Sequence, residues 1–141
     1  MAVKKLDHIG IIVSDLDEAV ETYERVLGLT VDRIEDYGEG LLSIAFLPLG
    51  DVLLELIQPL KPGSDAWDFL QRQGEGIEHL AFAVDDLHTE WHRVLAKGIP
   101  VTDTKPRPGA SNTQICFLQR EALRGVLGEF VAPSVQKTYK A

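Results

Sequence analysis

Two histidines and two glutamates recur at matched places in this chain. His8 stands in Asp7-His8-Ile9-Gly10-Ile11-Ile12-Val13-Ser14-Asp15-Leu16, and His79 in Glu78-His79-Leu80-Ala81-Phe82-Ala83-Val84-Asp85-Asp86-Leu87. In each copy an acidic residue precedes the histidine, an apolar run follows, and Asp-Leu falls seven and eight residues after it. Each half then ends on an apolar run with one glutamate, Leu54-Glu55-Leu56-Ile57-Gln58-Pro59 and Gly128-Glu129-Phe130-Val131-Ala132-Pro133. The spacings from histidine to glutamate are 47 and 50 residues. Two imidazoles and two carboxylates make a mixed N/O donor set that suits zinc, cobalt, nickel, manganese or ferrous iron. Such an ion is a Lewis acid toward carbonyl oxygens, and a glutamate at or near it can take a carbon-bound proton. Taken singly, each histidine reads as structural and each glutamate as a strand-edge residue. Their joint recurrence argues for one four-ligand metal site made of His8, Glu55, His79 and Glu129. His88 and His92 have no counterpart in the first half and read as surface residues.

The elements that must position these groups repeat as well. If residues 6–13 are extended, His8 shares a face with Gly10 and Ile12, and Ile9, Ile11 and Val13 take the other. His79 likewise shares its face with Ala81 and Ala83. Small residues beside each histidine suit a cavity in front of a sheet, and the bulky face suits helices behind it. Residues 15–27 predict an amphipathic helix capped by Asp15 and stopped by Gly28. A second helix is expected over about 86–97, with Gly98 after it. An extended piece, a loop and two strands follow each helix, at about 41–48 and 51–58, then 113–119 and 125–132. Each half is a βαβββ unit, and the whole is a tandem duplication. The expected division is one domain over 1–141, with modules at 6–60 and 77–133 and a connector at 61–76. A short helix from Asp65 to Gln73 is expected in the connector, burying Trp67 or Phe69 with Leu70. The tail from Ser134 to Ala141 lacks a periodic apolar face.

The totals fit a small globular protein: 141 residues, 45% of them apolar, with a net charge of −8. No basic patch marks a nucleic-acid surface, and no long apolar run marks a membrane span or signal peptide. A cytoplasmic location is the expectation. Lys105-Pro106-Arg107-Pro108-Gly109 is either a solvated loop or the local cations that an anionic ligand needs. The one cysteine, Cys116, lies in an apolar run and reads as a buried, inert thiol.

At these residues the chain resembles the vicinal oxygen chelate superfamily, also called the glyoxalase/bleomycin-resistance superfamily. The resemblance runs from Leu6 to about Pro133. It implies an α+β fold in which tandem βαβββ modules form a cupped, mostly antiparallel sheet around a metal site. The metal positions fall on His8, Glu55, His79 and Glu129. Within the superfamily the chain looks most like the methylmalonyl-CoA epimerases. The stretches that carry this are Ala45-Phe46-Leu47-Pro48-Leu49-Gly50, Glu55-Leu56-Ile57-Gln58-Pro59-Leu60, and Gly74-Glu75-Gly76-Ile77-Glu78-His79-Leu80-Ala81-Phe82. The implied reaction is epimerisation of an acyl-CoA or other thioester through a metal-stabilised enolate, with Glu129 and Glu55 as candidate bases. A homodimer is the implied assembly. The chain departs from the epimerase pattern where Ser43 occupies the position of a catalytic glutamate in an ungapped reading. It departs again where Glu78-His79 stands for His-His. A glyoxalase I-type lactoylglutathione lyase is the alternative function. A non-haem iron dioxygenase and a metal-free small-molecule binding module are more distant ones.

Overall fold

The computed structural model describes residues 3–134. Elements follow in the order β1 (Val3–Ile12), α1 (Leu16–Leu27), β2 (Arg33–Tyr37), β3 (Leu42–Leu49), β4 (Val52–Pro59), α2 (Asp65–Gln73), β5 (Gly76–Val84), α3 (Leu87–Ala96), β6 (Arg107–Gly109), β7 (Thr113–Phe117), a 3₁₀ turn (Arg120–Leu123) and β8 (Leu127–Pro133). The βαβββ order thus runs twice, and the class is α+β, as expected. The first module's strands follow the order β2-β3-β4-β1 and the second's the order β6-β7-β8-β5, so each module uses the same internal order, and the first mixes parallel with antiparallel pairing. β1 and β4 are parallel, and the hairpin pairs β2–β3, β3–β4, β6–β7 and β7–β8 are antiparallel.

The described residues divide into two compact units, residues 7–79 and residues 3–6 together with 80–134. In the first of these, α1 begins where Asp15 turns extended and its carboxylate accepts the Glu18 N–H at 3.0 Å. Gly28 ends the helix in the left-handed region at φ 73° and donates its N–H to the Glu24 carbonyl. The helix packs Ala19, Val20 and Tyr23 against a core of Ile11, Val13, Leu16, Ala45, Leu47, Leu54 and Leu56. Each fully buried aliphatic side chain there contributes about 1.5–3 kcal/mol. The bulky face of the His8 strand is therefore the helix face, as its alternation predicts.

The connector helix α2 keeps its expected bounds, with Ser64 Oγ accepting the Trp67 N–H at 3.0 Å. Its packing differs from expectation. Ala66 is its buried residue, and Trp67, Phe69 and Leu70 are only half-covered. A short helix that settles on a small side chain brings its backbone close and leaves its large residues along the margin.

In the other unit, α3 starts at Asp86, whose carboxylate accepts both the N–H and the hydroxyl of Thr89. Those bonds hold the Asp86 carboxyl below its ordinary range. The helix seats Leu87, Trp91 and Val94 in a core with Val84, Cys116, Leu118, Phe130 and Ala132. Trp91 meets Phe130 edge to face at 5.5 Å, and its indole N–H donates to the Asp103 carbonyl at 2.7 Å. The strands expected at 113–119 and 125–132 are shorter at their facing ends. The 3₁₀ turn and Arg124, at φ 59°, take up the chain between them. The expectation for the tail falls outside the described residues, apart from Ser134, whose N–H donates to the Asn112 carbonyl. No helix among the described residues is long and apolar enough to cross a membrane.

Candidate metal centre

Among the described residues, the buried polar or charged side chains are His8, Glu55, Glu78, His79 and Glu129. Four of the five are the predicted ligands. Buried ionisable groups are costly unless they are paired or hold a metal, so their restriction to these positions is informative.

Strand geometry presents them. In the unit of residues 7–79, Gly10 stands opposite Glu55 across the parallel β1–β4 pair, so His8, Gly10 and Glu55 share the face turned away from α1. Glu55 Oε2 lies 3.3 Å from His8 Nδ1. The Nε2 atoms of His8 and His79 face each other at 3.4 Å, with the rings nearly perpendicular. Gly10 makes the room for this. A Cβ at that position would collide with the His79 ring, 2.5 Å from Nδ1 and 2.7 Å from Nε2. The small residue beside His8, read from the sequence as open space, is the seat of the other histidine. In the second unit, Glu129 is buried on β8 opposite Phe117 of β7. It shares its strand face with Val131, and the alternate residues Phe130 and Ala132 enter the α3 core.

The donor chemistry suits a divalent ion. Two imidazole nitrogens each about 2.1 Å from one ion, in adjacent coordination positions, stand about 3.0–3.4 Å apart, and the Nε2 pair falls within that interval. His8 and His79 would supply the nitrogen donors from this unit, whereas the Glu55 carboxylate meets His8 at Nδ1 and not at the Nε2 that faces His79.

Each imidazole is also held from behind. His8 Nδ1 is 2.8 Å from the Asp7 carboxylate, and His79 Nδ1 is 2.9 Å from that of Glu78. The sequence shows both acidic residues, but strand alternation puts neighbouring side chains on opposite faces, so it gave them no partner.

Ser43 requires a correction. It stands opposite Gln58 on β4, and alternation places both on the α1 side, away from Glu55. Gln58 Oε1 accepts the Leu16 N–H at the start of α1, which fixes that side. The residues of β3 that share the Glu55 face are Leu42, Ile44 and Phe46. Ser43 therefore does not sit where a base acting beside Glu55 would have to be. The stretch from Lys105 to Gly109 is more ordered than a solvated loop, because Arg107–Gly109 pairs with β7. Arg107 binds the Asp103 carboxylate at 2.8 Å, and the second oxygen of Asp103 accepts the Phe117 N–H. Cys116 is buried as expected. Burial first, and the nearby Asp103 charge second, push its thiol up to about 12, which keeps it neutral and inert.

The fold and this donor set define a class. Residues 7–117 match the family described as the Glyoxalase/Bleomycin resistance protein/Dioxygenase superfamily, and the chain belongs to it. Its relatives include an uncharacterized Bacillus subtilis protein, YqjC, 36% identical over 131 residues that cover 93% of this chain and 94% of that one. They also include an ethylmalonyl-CoA/methylmalonyl-CoA epimerase of Cereibacter sphaeroides, 30% identical, covering 90% of this chain and 96% of its own. Among solved structures, a variant of Streptomyces coelicolor methylmalonyl-CoA epimerase in complex with 2-nitronate-propionyl-CoA superposes with a TM-score of 0.89. The identity is 31%, over 95% of this chain and 97% of that one.

Proposed function

We propose that the protein is a metal-dependent epimerase of a methylmalonyl-CoA-like acyl thioester. The observation that carries this reading is the convergence of the His8 and His79 Nε2 atoms, in a chain similar to methylmalonyl-CoA epimerases. His8, Glu55, His79 and Glu129 are the proposed ligands. A bound divalent ion would supply positive charge to the substrate's thioester and carboxylate oxygens, which acidifies the carbon between them. Glu129 is the proposed base that takes the C2 proton. The C–H electron pair moves toward the thioester carbonyl as the proton leaves. Glu55 is the proposed second acid–base group in the state where its bond to the ion is loose: starting protonated, it gives that proton to the opposite face of C2, so that the configuration inverts, and Glu129 keeps the proton it took. Burial of both carboxylates strengthens their interaction with charge that develops in the reaction. A cytoplasmic homodimer is part of the same proposal.

The test is proton NMR in deuterated water, with cobalt-loaded protein and methylmalonyl-CoA. Loss of the C2 proton signal that disappears in Glu129→Gln is the expected result. No exchange above background, with cobalt bound, rejects this substrate and directs the search to the glutathione hemithioacetal of a lyase.

A further inference from the structure

Glu78 is the one buried polar or charged residue among those described that the proposed chemistry does not use. Its side chain is only 7% exposed, and its contact is with His79 Nδ1 at 2.9 Å. Removing a carboxylate from water is unfavourable unless a specific donor meets it. A carboxylate accepts and does not donate, so the proton of a neutral His79 must sit on Nδ1 for this bond to form. The Nε2 lone pair then points forward. Asp7 imposes the same arrangement on His8 at 2.8 Å. With both protons held behind the rings, the two Nε2 atoms that face each other at 3.4 Å are both acceptors, and neither can donate to the other. Two lone pairs converging on one point are stabilised by a cation placed between them.

We propose that Glu78 is a positioning residue. It fixes His79 in the Nδ1–H tautomer and directs its Nε2 toward a divalent ion, with Asp7 as the more exposed counterpart behind His8. The inference rests on the metal-binding part of the proposed function and is independent of the substrate. Carboxylates hydrogen-bonded to ligating histidines orient the ring and raise its basicity, and their loss typically lowers metal affinity by about 10–100-fold.

The experiment has two readouts at mildly alkaline pH. Long-range ¹H–¹⁵N correlation spectra of the metal-free protein report the His79 tautomer, and chelator competition reports zinc affinity. Wild-type protein is expected to show the Nδ1–H form. Glu78→Leu, of similar volume, should shift His79 toward the Nε2–H form and weaken zinc binding by about 10–100-fold. Glu78→Gln retains an accepting oxygen and should recover the tautomer and most of the affinity. An Nε2–H tautomer in wild-type protein overturns the proposal whether or not any variant folds. So does a folded Glu78→Leu variant with wild-type tautomer and affinity, or a Gln variant no better than Leu. Neither readout involves substrate, so failure of the exchange assay above is separable from failure here.

Discussion

The two copies of the acid–histidine stretch preserve one device in two surroundings. Asp7 holds His8 Nδ1 at 2.8 Å and Glu78 holds His79 Nδ1 at 2.9 Å, so the bonds are alike. The carboxylates are not: the Asp7 side chain is 31% exposed and that of Glu78 7%. The residue two places after each histidine differs too, Gly10 in one copy and Ala81 in the other. Gly10 is where the His79 ring rests, and the exchange of a single methyl decides whether it can. Duplication kept the donor chemistry, whereas burial and space were divided unequally between the copies.

That inequality can be broken. The largest effect is expected from Gly10→Ala. Its added carbon enters the His79 ring, so either the ring or the strand must shift. Overpacking of this kind costs about 1–3 kcal/mol, and zinc binding should fall with it. Denaturant unfolding and chelator competition measure the two losses; wild-type values for both would show that the ring has another seat. Asp7→Asn comes next. It keeps an accepting oxygen, and water reaches the site, so its loss of zinc affinity should stay below the roughly 10-fold floor typical of such partners. A larger loss than that of Glu78→Gln would reverse the ranking by burial. The smallest effect at the site is expected from Asp15→Ala, which removes the α1 cap at the far end of the same repeat. It should lower stability by about 1 kcal/mol and leave zinc affinity unchanged in the same competition assay. A change in affinity would mean that the helix start and the histidine face are coupled.

Much of this was legible beforehand because the signals are local and periodic. Asp15 and Gly28 bracket α1 as caps, and Ser64 and Gly74 bracket α2, since capping chemistry is written in single residues. The alternation around His8 assigned its two faces correctly, and the paired glutamates were visible by recurrence. What escaped has a common origin in contacts that periodicity does not encode. Glu78 reaches back to its own neighbour, which a strict two-residue alternation places on the opposite face. An ungapped residue count sets Ser43 at the position of a base, and only the β3–β4 register, with Ser43 opposite Gln58, shows which way it points. β6 is three residues long and contains a proline, too short for any pattern to announce it. Trp67 and Phe69 are the apolar residues that a sequence reading would bury, but a nine-residue helix resting on Ala66 leaves them at the rim.

The connector closes where Glu75 accepts both the backbone N–H and the hydroxyl of Ser14, at 2.9 and 3.0 Å. This latch gives the chain two zones of very different tolerance to insertion. Upstream, residues added near the exposed Pro62-Gly63 turn lengthen a loop, at an entropic cost that grows only with the logarithm of its length. Downstream, Glu75 is followed by Gly76, the first residue of β5, and a single residue added between there and His79 turns the imidazole to the other face of the strand. Natural length variation in relatives should therefore gather before the latch, and a one-residue insertion after it should erase the proposed metal site while leaving most of the fold intact.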